Sequence, residues 1–114
     1  MLSIWHNPRC RKSRETLALL QASGKDITIR LYLQDAPSEQ DIRDIVEQLG
    51  FDTPRDLMRR SESIYKTLCL KDETDPSILV KSMVETPILI ERPVVTDGTR
   101  AVIGRPPEAV KALF

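Results

Sequence analysis

Three runs between Leu2 and Leu33 restrict this chain to a small set of folds. Leu2 to Trp5 is apolar and, closed by His6, reads as a strand. Thr16-Leu17-Ala18-Leu19-Leu20 reads as part of a helix that runs to about Ser23. Gly24 supplies its left-handed stop. Leu17, Leu20 and Thr16 face inward on this reading. Asp26-Ile27-Thr28-Ile29-Arg30-Leu31-Tyr32-Leu33 alternates apolar and polar residues, so it is a second strand. Strand, helix and strand with so short a return give a parallel pair and a right-handed crossover. The class is therefore α/β.

The middle of the chain changes character. Pro37-Ser38 opens a helix on which Ile42, Ile45, Val46 and Leu49 share a face, and Gly50 ends it. Thr53-Pro54-Arg55-Asp56 reads as a further start, with Thr53 as cap and Pro54 in the first turn, and Leu57-Met58-Arg59-Arg60 follows. Ile64, Tyr65 and Leu68 suggest a short helix. Asp75-Pro76 repeats the cap-and-proline signal before Ile78, Leu79 and Met83. Residues from about 38 to 86 are thus expected to be nearly all helical. Beyond them, Asp97-Gly98 stands between Val94-Val95 and Ala101-Val102-Ile103, a strong hairpin signal. Arg105-Pro106-Pro107-Glu108 starts a last helix, with Val110, Leu113 and Phe114 on its inner face. The order is β-α-β, helices, β-β-α, with no repeat, linker or low-complexity segment, so residues 1–114 are expected to form one domain.

The reactive chemistry gathers in His6-Asn7-Pro8-Arg9-Cys10-Arg11-Lys12-Ser13-Arg14, the turn from the first strand into the first helix. N–H groups at a helix start lack intrahelical partners and carry partial positive charge. A cysteine placed there loses its proton more readily. Arg9, Arg11, Lys12 and Arg14 add positive charge that lowers a thiol pKa and suits an oxyanion. The bland alternative is a small buried cysteine beside a solvated basic face. Thiol, helix start and charge coincide here within a few residues, which favours the reactive reading. Ser13 follows Cys10 in a Cys-x-x-Ser pattern, so no second cysteine stands ready to resolve an intermediate. Ser13 is expected either to donate to the Cys10 sulfur or to cap the helix. His6 has two readings, an ordinary structural residue at a strand end or an assisting positive charge. Cys69, between Leu68 and Leu70, reads as a core or incidental residue.

The run His-Asn-Pro-x-Cys-x-x-Ser-Arg-x-Thr-Leu resembles the active-site signature of the arsenate reductases that use glutathione and glutaredoxin, and the likeness covers most of the chain. It implies a thioredoxin-like fold with a helical insertion between the N-terminal β-α-β and C-terminal β-β-α units. It implies reduction of arsenate to arsenite through a Cys10 thiolate, a covalent arsenic adduct, glutathione as co-substrate and glutaredoxin as partner, with no bound cofactor. Matching the family's motifs places its three arginines at Arg59, Arg92 and Arg105 beside the Cys10 loop, with Ser13 and Arg14 contributing to the anion site. Arg60 is a rival for the place of Arg59. By the same resemblance Pro93 follows a cis bond and faces the cysteine. Arg11 and Lys12 depart from the family pattern, which has small residues between Cys and Ser.

Composition trims the alternatives. The formal net charge is zero, which offers no global attraction to nucleic acid or an anionic membrane. No apolar run is long enough to cross a membrane, and the N-terminus lacks the pattern of a secretion signal, so a cytoplasmic monomer is expected. One histidine and no CxxC or HExxH pattern leave no metal site. Two other functions fit the same thiol: a general glutathione-linked thiol–disulfide reductase, and a non-enzymatic regulator of the same superfamily that binds RNA polymerase. The phosphatase-like arsenate reductases need an arginine six residues after the cysteine, where this chain has Thr16.

Overall fold

The computed structural model describes residues 1–114, and the chain divides into two compact units. Met1–Asp35 and Arg92–Phe114 form one, and Ala36–Glu91 the other. In the first unit, strand β1 (Leu2–Trp5) leads through the cysteine loop into helix α1 (Arg11–Ala22) and on to β2 (Ile27–Arg30). β1 and β2 pair in parallel, with Leu2 opposite Ile27 and Trp5 opposite Arg30. Strands β3 (Val94–Thr96) and β4 (Ala101–Ile103) complete a four-stranded sheet of order β2-β1-β3-β4, both pairings beyond β1 being antiparallel. A seven-residue 3₁₀ helix, Pro107–Leu113, closes the chain.

The core of this unit gathers Leu2 and Ile4 from β1, Leu20 from α1, Val95 from β3, and Val110 and Leu113 from the final helix. Successive residues of β1 point to opposite faces, and Leu2, Ile4 and Trp5 are all buried, so the strand is covered on both sides. That explains an apolar run without alternation.

The second strand is shorter than its alternating sequence suggests. It stops at Arg30 because the Leu31 carbonyl accepts from the N–H groups of Gln34 and Asp35, closing a turn. Tyr32 is buried there, whereas Leu31 and Leu33 are exposed. At the hairpin, Asp97 N–H donates to the Arg100 carbonyl, leaving Gly98 and Thr99 as the loop, with Gly98 at φ 95. The final helix is of the 3₁₀ type, and Phe114 at its end is exposed, not buried as its place in the pattern suggests.

The second unit is helical. Helix α2 (Glu39–Leu49) carries a full capping box: Ser38 accepts from Asp41 N–H, and the Asp41 carboxylate accepts from Ser38 N–H. Gly50 ends it at φ 74. Helices α3 (Ser63–Thr67) and α4 (Pro76–Glu85) follow, with 3₁₀ turns at Pro54–Leu57, Leu70–Asp72 and Pro87–Leu89. The expected helix through Met58-Arg59-Arg60 does not form. Met58 instead makes an antiparallel bridge with Ile90, Arg59 N–H donates to Leu89 and Glu91 N–H to Leu57. Ile42, Ile45, Leu57, Tyr65, Leu79, Met83 and Leu89 are buried in this unit. Cys69 is exposed rather than in the core, at φ 56 just before a 3₁₀ turn. No helix is long and apolar enough to cross a membrane.

Gly104 locks the first unit around the cysteine loop. Its N–H donates to the Pro93 carbonyl at 2.9 Å. A Cβ at this position would lie 2.5 Å from Thr16 Oγ1 and 2.8 Å from Pro93 Cγ. Thr16 is fully buried and its hydroxyl is held by the Lys12 carbonyl at 2.7 Å, so it has little room to yield. Gly104→Ala should therefore destabilise the fold by about 1–3 kcal/mol, the usual cost of overpacking. A urea unfolding midpoint equal to that of the parent would contradict this close packing.

Candidate active site

Cys10 is the N-cap of α1, with extended backbone at φ −94 and ψ 122. The loop before it is tied down locally. Cys10 N–H donates to the Asn7 carbonyl, Arg9 N–H donates to Asn7 Oδ1, and Arg14 Nη1 reaches back to the Pro8 carbonyl at 2.9 Å. Ser13, fully buried in the first turn of α1, holds the loop from inside. Its hydroxyl accepts from Asn7 N–H at 3.0 Å and lies 2.7 Å from His6 Nδ1. The Ser13 side chain is thus engaged by His6 and Asn7, neither reaching the Cys10 sulfur nor capping the helix.

Burial, and after it the charge of Arg14, lowers the His6 pKa from its ordinary value. The ring therefore favours its neutral form at pH 7, with Nδ1 within hydrogen-bond distance of the Ser13 hydroxyl. A lowered pKa weighs against His6 as an added positive charge beside the thiol.

Two arginines from the C-terminal part of the unit act on the sulfur. Arg105 Nη2 lies 3.6 Å from Cys10 Sγ, and Arg105 Nε donates to the Arg92 carbonyl at 2.8 Å. One guanidinium therefore spans the cysteine and the segment before β3. Partial burial raises the Cys10 pKa and is the largest single influence. The N–H groups of Ser13 and Lys12 and the charges of Arg92 and Arg105 together outweigh it, and the net shift is downward. The loop cations contribute differently from what their crowding in sequence suggests. Arg11 pairs with Glu15 one turn along the helix at 2.8 Å, and Arg14 is spent on Pro8.

Pro93 follows a cis peptide bond at the head of central strand β3, and Arg105–Pro106 is a second cis bond that the sequence did not single out. Beside the cysteine loop lies a cavity of about 330 Å³, lined by His6, Asn7, Pro8, Arg9, Leu31, Leu33 and Gln34. Arg59 belongs to the helical unit, where it is mostly buried and paired with Glu62 at 2.8 Å. Its rival Arg60 is about half exposed and paired with Asp56.

A family model, described as ArsC family, matches residues 5–113, nearly the whole chain. The chain belongs to the ArsC family. Among its relatives, an arsenate reductase of Haemophilus influenzae is 46% identical over 108 residues, covering 94% of this chain and 93% of its own. The uncharacterized protein YfgD of Escherichia coli K12 is 44% identical over 110 residues, covering 96% of this chain and 92% of its own. The solved structure of an arsenate reductase from Vibrio cholerae superposes with a TM-score of 0.96 at 42% identity, covering 99% of this chain and 97% of its own. The ArsC fold is thioredoxin-like, and the sheet order and the strand–loop–helix placement of Cys10 conform to it.

The neutral His6 has a consequence for stability. A histidine whose folded pKa lies below its unfolded value of about 6.5 makes the unfolded chain bind more protons in that window. Stability should then fall as pH drops below about 6.5. Thermal melts between pH 7 and pH 5 should show a smaller loss for His6→Gln than for the parent. Equal slopes would mean that His6 titrates normally in the fold.

Proposed function

We propose that this protein reduces arsenate to arsenite through the Cys10 thiolate. The observation that carries the reading is a helix-start thiol with Arg105 Nη2 at 3.6 Å from its sulfur and no Cys-x-x-Cys partner. Arsenate is a tetrahedral anion with negative charge on its oxygens near neutral pH. It needs both a soft nucleophile for arsenic and forked cationic donors for oxygen, and arginine supplies the fork better than lysine. The relatives named arsenate reductases support the same substrate.

The electron count requires two thiols, and the family resemblance offers glutathione and glutaredoxin for the partners. Reducing As(V) to As(III) takes two electrons, which two thiols supply as they become a disulfide. The Cys10 sulfur attacks arsenic and expels hydroxide, giving the covalent adduct. Glutathione then adds its sulfur to arsenic, expelling a second hydroxide. A glutaredoxin thiolate takes the glutathionyl group as a mixed disulfide, the As–S bonding pair stays on arsenic, and water releases arsenite and free Cys10. The sum is arsenate, glutathione and glutaredoxin thiol giving arsenite, the glutaredoxin–glutathione disulfide and water. The cavity lined by His6, Asn7, Arg9, Leu31 and Leu33 offers room for the second thiol beside the loop. Arg92 and Arg105 serve the oxygens, and the family resemblance adds Arg59 as a third. His6 and Ser13 hold the loop, and Cys69 takes no part.

Steady-state kinetics with arsenate, glutathione and glutaredoxin test this. Cys10→Ser should abolish turnover, and Cys69→Ser should keep it. Arg92→Lys and Arg105→Lys should each lose roughly tenfold to a hundredfold, from about 1.5–3 kcal/mol per charge-assisted contact. The same variants should lose less on a glutathione mixed disulfide. Equal losses on both substrates would favour the general thiol reductase, and no arsenate turnover by the parent would defeat the reading.

A further inference from the structure

The helical unit contains a cationic cavity that the thiol chemistry does not use. Its volume is about 320 Å³, and Arg55, Arg60, Tyr65, Lys66 and Lys71 line it. That volume lies in the range of small-molecule sites. All five residues lie within Ala36–Glu91.

The charge of this cavity is poorly compensated. Arg55 is half-buried, yet its guanidinium meets no carboxylate. It donates to the Tyr65 hydroxyl, to the Leu70 carbonyl at 2.7 Å and to the Glu73 carbonyl. These acceptors are all neutral, so they take up three of its hydrogens but leave its full charge in place. Lys66 and Lys71 are exposed and form no ion pair, and Arg60 alone has a partner, Asp56 at 2.8 Å. Four cationic residues therefore border one shared space, largely through their carbon stems, and only Arg60 among them is paired with a carboxylate. The same donors fix the wall: Arg55 ties Tyr65 of α3 to the Leu70–Asp72 turn, so that Lys66 and Lys71 are carried on a braced frame.

We propose that this cavity binds a small phosphate-bearing organic molecule. The phosphate would lie between the Lys66 and Lys71 ammonium groups, in the field of the uncompensated Arg55, and an apolar body would fill the space beside the Tyr65 ring. A bare anion would leave most of the volume to water. Exposed lysine contacts are individually weak, so affinity rests on several charges acting together. It falls as salt rises, because the lysines are open to screening.

Phenyl phosphate is a suitable probe, since it joins a dianion to a small apolar ring. Amide chemical-shift titration of the full-length protein should show saturable changes at Tyr65, Lys66 and Lys71, separable from any at the Cys10 loop. Lys66→Ala/Lys71→Ala should weaken this response about tenfold, from roughly threefold per lysine, while Lys66→Arg/Lys71→Arg should retain it. Retention by the arginine pair shows that charge, not folding, is what the alanine pair removes. Phenol should bind far more weakly than phenyl phosphate, and so should inorganic phosphate. Changes confined to the Cys10 loop, or equal affinity in the alanine pair, would overturn the site. Phenol binding as tightly as phenyl phosphate would remove the phosphate from the proposal, and inorganic phosphate binding as tightly would remove the organic body. None of these outcomes depends on arsenate turnover.

Discussion

The Ser13 hydroxyl is the contact on which the site depends. It accepts the Asn7 N–H and faces His6 Nδ1, so one buried side chain in α1 fastens the end of β1 and the loop that follows. A buried polar group is costly unless satisfied, and each of these groups satisfies another. The result is a fixed path from strand to helix that leaves Cys10 at the N-cap and its sulfur open to approach. Burial keeps His6 neutral within this knot, so the ring contributes shape and a hydrogen bond rather than charge.

Around that fixed thiol, two opposing effects are balanced. Partial burial favours the neutral thiol, whereas the amides of the first helical turn and the guanidinium groups of Arg92 and Arg105 favour the anion. The helix start belongs to the N-terminal part of the unit and both arginines to the C-terminal part. The reactive sulfur therefore exists only once the sheet has brought β1 and β3 side by side. Gly104 makes the same join from the other side, where any side chain would meet Thr16 and Pro93. An oxyanion drawn to the arginines is drawn to the nucleophile by the same charges.

Much of this was legible in the sequence because it is local. The Cys10 placement, the helix start at Ser38, the stop at Gly50 and the hairpin at Gly98 each depend on their immediate neighbours. The matched motif added Arg92, Arg105 and the cis bond before Pro93, which no periodicity shows. What local pattern missed came from tertiary contact. Met58-Arg59 has a helix-like start before it, but a bridge to Ile90 draws it out straight. The alternating Leu31-Tyr32-Leu33 turns rather than extends, and Cys69 sits in the open although leucines flank it. The cations around Cys10 are partly engaged locally, Arg11 with Glu15 and Arg14 with the Pro8 carbonyl, which sequence order does not show. The Arg55 hub left no sequence signal, since two of its acceptors are backbone carbonyls from a later turn.

The central claim is that the helix start and the charges of Arg92 and Arg105 lower the Cys10 pKa and so favour its thiolate. Ultraviolet titration of the thiolate in a Cys69→Ser background measures this directly, with Arg105→Gln as the comparison. The account requires a midpoint below the value of free cysteine, about 8.5, and a rise in that midpoint when Arg105 is neutralised. A midpoint at or above free cysteine, unmoved by the Arg105 substitution, would contradict it.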